Sequence, residues 1–248
     1  MRKLLFILLL VSPGLNLRAE TDLDPEEIIK RFAAKETEFR EVFQQYTYTQ
    51  RILFQVLSAS GAVREEQQLW IEVYFTSDGK RETRTIRERG SLRSVRVSPE
   101  DIEDAIYRQP FVLTTDELPL YKIKYKGEEL VDALDTYVFD VEPRKIEDGQ
   151  RYFKGRIWVD NLDLQIVMTR GKVVPDYADN KFPEFETIRE QVDGEYWFPT
   201  WTEADDVLKF GRFPRTREVR VRELITYEDF RKFEVDTSIQ YEPIEEPE

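Results

Sequence analysis

Ser77 and Lys80 stand at the S-x-x-K spacing that serves serine acyl transfer, where a lysine takes the proton of a nucleophilic hydroxyl. No S-D-N or K-T-G segment follows, and Asp78-Gly79 between them is a hairpin-turn dipeptide, so the spacing reads as a turn. Paired carboxylates are a second candidate. Asp205 with Asp206, or Glu100, Asp101, Glu103 and Asp104, offer the acid and base of glycoside cleavage. With 50 Asp and Glu among 248 residues, such neighbours are expected by chance. A third candidate, Asp160, Asn161 and Asp163, offers oxygen ligands to calcium, but it is shorter than a full binding loop and is well explained as a turn. The chain has no histidine and no cysteine. That removes Ser-His-Asp and cysteine-nucleophile catalysis and every zinc or copper site built on imidazole or thiolate. The expectation is a protein that binds rather than catalyses, with no metal and no cofactor.

The binding classes narrow in the same way. The formal net charge is −13, and basic residues alternate with acidic ones, as in RETRTIRERG from Arg81 to Gly90, which argues against nucleic acid as a partner. Trp70, Trp158, Trp197 and Trp201, the last two within YWFPTW, would suit a carbohydrate platform, but aromatic residues also fit pleated, half-buried surfaces.

The chain opens with Arg2 and Lys3, an apolar run from Leu4 to Val11, and the breakers Pro13 and Gly14, the order of a secretory signal peptide over residues 1–19. The run has eight apolar residues, well short of the ~20 that span a bilayer. With no cysteine after it, the exported protein is expected to carry no lipid anchor, and its fold must hold without disulfides. Residues 20–241 contain no linker and no repeat and are expected to form one domain; residues 242–248 read as an acidic, disordered tail.

The elements that must position any site follow from periodicity. Asp24, Pro25 and Glu27 signal a helix start, and Ile28, Phe32, Phe39, Val42, Phe43 and Tyr46 recur at helical spacing to about Gln45. From Tyr46 the period changes to two. Ile52, Phe54 and Val56 oppose Arg51 and Gln55, and the alternation recurs at Tyr137–Val141, Ile157–Val159 and Val219–Ile225. Short turns such as SDGK, EDGQ and DGE imply an antiparallel meander of roughly ten strands. Ser98 and Pro99 predict a second, short helix to Tyr107, followed by a loop from Pro110 to Pro119. The strand Leu69–Phe75 is apolar on both faces and needs cover on both. The fold class expected is mainly β with α: a curled antiparallel sheet with helices in its concave face.

The segment YFKGRIWVDN, Tyr152 to Asn161, followed by LQIVMTRGK, resembles the LolA-like superfamily of periplasmic lipoprotein carriers and related sensors. Gly155, Ile157, Trp158, Val159 and Asp160 carry the resemblance, which extends more weakly over residues 46–235. It implies an unclosed β half-barrel whose concave apolar face, capped by helices, takes up acyl chains of lipids or lipoproteins in the periplasm. On the alternation, Phe54, Ile71, Val73, Phe139, Ile157, Ile166 and Val221 share the apolar face and are the expected cavity lining, with ordinary core packing against the first helix as the alternative for each; Trp158 belongs to the outer face. The resemblance does not indicate which arginine would latch lid to barrel. Two other functions stay open: a sensor or scaffold module that recognises an envelope membrane protein through the two-sided strand at Leu69–Phe75, and an enzyme working through carboxylates.

Overall fold

The computed structural model describes residues 24–176, 183–212 and 215–233. The signal-peptide run and the acidic tail lie outside these. The first helix, α1 (Pro25–Phe43), starts where Asp24 accepts a hydrogen bond from the Glu26 amide and Pro25 occupies the first turn. Its stripe of Ile28, Phe32, Ala33, Phe39 and Phe43 is buried, and Glu36 lies buried in the middle of it.

Strands β1 (Tyr46–Leu57), β2 (Val63–Phe75) and β3 (Arg81–Ser91) form a meander, and a crossing segment carries α2 (Pro99–Tyr107) and a 3-10 helix (Thr115–Leu120). A second meander follows: β4 (Tyr121–Val131), β5 (Leu134–Pro143), β6 (Tyr152–Asp160), β7 (Ile166–Val174), β8 (Phe185–Gln191), β9 (Trp197–Arg212) and β10 (Arg215–Lys232). Among the described residues these ten strands make one unclosed antiparallel sheet in the order β3-β2-β1-β10-β9-β8-β7-β6-β5-β4. Pairing of β1 with β10 joins the two meanders, so β3 and β4, consecutive in sequence, end at opposite edges. The segment between them must therefore cross a whole face of the sheet, which is how two helices come to share that inner face.

Two apolar clusters fill the inner face. One packs Phe39 and Phe43 of α1 and Ala105 and Ile106 of α2 on Ile52, Ile71, Val73, Phe198 and Ile225. The other packs Ile28 and Phe32, with Phe111 and Leu113 of the crossing segment, on Phe139, Ile157, Ile166 and Phe185. The two-sided strand is covered unevenly. Leu69, Ile71 and Val73 are buried, whereas on the other side no helix covers Trp70 and Tyr74. Arginines take that role: the Arg87 guanidinium lies 4.8 Å from the Trp70 ring centroid and that of Arg84 lies 4.7 Å from Tyr74. Trp158 projects to the outer face, as its parity predicts, yet is nearly buried there with Val138 and Val167, and it donates its indole hydrogen to Glu129.

Gly155 and Gly171 face each other across β6 and β7. A Cβ on Gly155 would meet the Arg170 carbonyl oxygen at 2.2 Å, and one on Gly171 would meet the Lys154 carbonyl oxygen at 2.4 Å. The Phe153 ring lies close above both, so this pair lets two strands and an aromatic ring approach more closely than side chains would permit.

Candidate functional site

One row of inner-face residues runs across the sheet through successive register partners: Phe54 on β1, Glu223 on β10, Ala204 on β9, Phe185 on β8 and Gly171 on β7. No residue of α1 lines this end of the sheet, α2 walls only one side of it, and a cavity of about 550 Å³ opens over it. Its floor is Phe54, Val173, Phe185, Leu208, Phe210 and Val221, and its roof is the crossing segment ahead of α2, through Leu92, Val95 and Val97.

Two anchors hold that roof in place. Glu65 of β2 accepts hydrogen bonds from the Ser94 hydroxyl at 2.6 Å and from the Ser94 and Arg93 amides, which together hold its carboxyl down at about 2. Arg217 of β10 donates to the Ser94 carbonyl at 2.6 Å. Immediately after, Ser98 and Asp101 close a reciprocal capping box that fixes the start of α2.

The polar wall of the cavity comes from α2 and the turn at its C-terminal end. Asp104 is paired with both Arg151 and Arg108, and burial nonetheless pushes its carboxyl up. Gln109 donates its amide hydrogen to Glu223 at 2.8 Å, and both side chains are buried. Burial pushes the Glu223 carboxyl up to about 7, with Gln109 opposing and Asp101 and Asp104 adding to the rise. The Gln109 side-chain oxygen has no hydrogen-bond partner among the described residues. Glu223 and Gln109 are the functional candidates that pattern reading passed over. The signal for Glu223 was available, since in Val219, Val221, Glu223, Ile225 it holds an inward position among apolar residues. None was available for Gln109.

Of the expected lining residues, Phe54 and Val221 face this cavity. Ile71 and Val73 lie in one core cluster, and Phe139, Ile157 and Ile166 in the other, packed against the helices. The chemical candidates are all engaged in structure. Ser77 and Lys80 sit in the β2–β3 hairpin, closed by the Thr76 amide on the Lys80 carbonyl. Asp205 and Asp206 point to opposite faces: Asp205 takes Arg220 and Arg222, while Asp206 accepts from the Glu184 amide. Asp160 accepts from the Leu162 and Asp163 amides and Asp163 from the Trp197 indole, which makes this cluster a turn. Among the described residues no group of three or more acidic residues could hold a metal ion. No described helix is long and apolar enough to cross a membrane. A larger groove, about 690 Å³, lies on the outer face over Gly155, Gly171 and Trp158, rimmed by ion pairs such as Lys122–Glu142 and Arg156–Asp140.

No family model matches the chain, and no curated protein matches it. Among solved structures it is similar to a DUF1329 family protein from Desulfovibrio piger, with a TM-score of 0.42 and 14% identity over 88% of this chain and 95% of that one. It is also similar to a LolA superfamily protein from Nitrosomonas europaea, with a TM-score of 0.40 and 12% identity over 86% of this chain and 97% of that one. At these values neither structure fixes what the cavity of this chain holds.

Proposed function

We propose that the protein is a non-catalytic periplasmic carrier that takes up the acyl chain of a lipid or lipoprotein in the inner-face cavity. The observation that carries this reading is the apolar floor and roof from Phe54, Leu92, Val95, Phe185, Leu208, Phe210 and Val221 around about 550 Å³. That volume falls within the ~300–1,000 Å³ of small-molecule sites. Each methylene moved from water into such a lining contributes ~0.8 kcal/mol, so a chain of modest length supplies useful affinity without any strong polar contact. The export signal read at residues 1–19 and the resemblance at Tyr152–Asn161 support the same reading. Residues 20–241 then act as a single carrier domain.

The test is native mass spectrometry, with lipid extraction, on protein purified from the periplasm of an expressing cell without detergent. Bound lipid or acylated protein is expected. An apo mass together with no uptake of a fluorescent fatty acid overturns the carrier and leaves the inner face as a recognition surface for another envelope protein.

A further inference from the structure

Gln109 and Glu223 stand apart from the other carboxyl and amide groups buried along the cavity wall. Asp104 has two arginines and Asp101 has the Ser98 amide. Gln109 and Glu223 share one side-chain hydrogen bond, and the Gln109 oxygen is left bare although its residue is only 6% exposed. An unsatisfied buried acceptor costs free energy that a ligand's donor would recover.

We propose, building on the carrier reading, that Gln109 and Glu223 form a polar-end subsite for an amide-linked acyl chain, its N–H donated to the Gln109 oxygen and its carbonyl accepting from the Glu223 carboxyl. The electrostatics beside Glu223 disfavour an anionic head. Asp101 and Asp104 of α2 face Glu223, the Arg151 cation is taken by Asp104 and that of Arg222 by Asp205, and Phe54 and Ala204 on the flanking strands are apolar. Arg96 of the roof also lines the cavity but has no part in setting the Glu223 carboxyl. Tyr227, further along β10, is also held neutral by burial. A phosphate or carboxylate entering between Gln109 and Glu223 meets acidic groups and no free cation from α2. An ammonium satisfies Gln109 but pairs with Glu223 only once that carboxyl has given up its proton, which its burial opposes below about pH 7. An amide carries one donor and one acceptor in a single plane, the complement of this pair.

The probes are decanamide, decylamine and decanoate, which share a tail and differ at the head. Each displaces the uncharged dye N-phenyl-1-naphthylamine from the intact protein at about pH 6, below the value of about 7 at which Glu223 ionises. Decanamide is expected to bind tightest, by roughly tenfold, and Gln109→Leu to remove that advantage over decylamine and decanoate. Equal binding of the three heads, or tightest binding of the amine or the acid, overturns the amide subsite and leaves the carrier reading standing. Failure of the dye and all three probes to bind overturns the carrier reading itself.

Discussion

Glu36 of α1 and Arg189 of β8 meet in a two-pronged ion pair, at 3.0 and 3.1 Å, with both side chains fully buried. Arg189 also donates to the Phe111 carbonyl and lies over the Phe39 ring, while Glu36 accepts from the Ile166 amide at 3.1 Å. One pair therefore ties the first helix, the crossing segment and two strands together, between the two apolar clusters.

Removing one partner strands a charge where water cannot reach it. Arg189→Met is expected to cost about 3–5 kcal/mol of unfolding free energy in denaturant titrations. The double variant Glu36→Gln/Arg189→Met should recover a large part of that, because it leaves no orphaned charge. If Arg189→Met alone costs less than about 1 kcal/mol, the pair is solvated and does not tie these elements together.

Glu223 makes a prediction with a definite sign. Its folded value is about 7 against an ordinary 4.5, so between those pH values the folded chain keeps a proton that the unfolded chain has released. Its burial is harmless below pH 4.5 and becomes a growing penalty as pH rises to about 7. The shift corresponds to about 3 kcal/mol at alkaline pH. Glu223→Gln should match the parent protein near pH 4 and be more stable by about that amount at pH 8 in thermal or denaturant melts. Identical pH profiles would show that Glu223 is hydrated in the folded state.

Local structure was legible where one short segment determines it. Asp24-Pro25 and Ser98-Pro99 start helices, as capping chemistry requires, and the period-two runs are strands. The order of those strands was not legible. Pairing of β1 with β10 joins residues some 170 positions apart, for example Gln50 with Tyr227, and no turn motif encodes it. The same long-range geometry decides which apolar residues become core and which become cavity. Ile71 and Phe54 share a parity class, yet Ile71 is closed into the core beneath α1 and α2, whereas Phe54 packs at the edge of that cluster and lines the cavity. Glu36 could have been found: it fills the gap in the helical stripe between Phe32 and Phe39, but an acid there has meaning only once Arg189 is known to face it.

Gly155→Ala tests the close approach of β6 and β7. The added methyl would lie 2.2 Å from a backbone oxygen, so a strand must move rather than a side chain. A loss of about 2–3 kcal/mol is expected, at the upper end of overpacking costs. Gly149→Ala is the comparison. It has open space but a φ of 72°, so it pays only the strain of that conformation, about 1 kcal/mol. Equal costs for both would mean that the strand pair relaxes freely around the methyl.

Val221→Trp separates the cavity from the core. Val221 lines the cavity and is half-buried, with empty volume in front of it, so a larger ring fills space without displacing packed neighbours. Uptake of N-phenyl-1-naphthylamine and of fluorescent fatty acid should fall at least tenfold, roughly the effect of denying a ligand several buried methylenes. The melting temperature should hold or rise, because the indole buries apolar surface that the open cavity leaves wet. Leu162→Trp, on a turn residue that is 88% exposed, should change neither. If Val221→Trp folds as stably as the parent and still binds the dye and the fatty acid undiminished, the chain is held somewhere other than between Leu92–Val97 and the floor of β7–β10 and β1, and the carrier site must be sought elsewhere on the sheet.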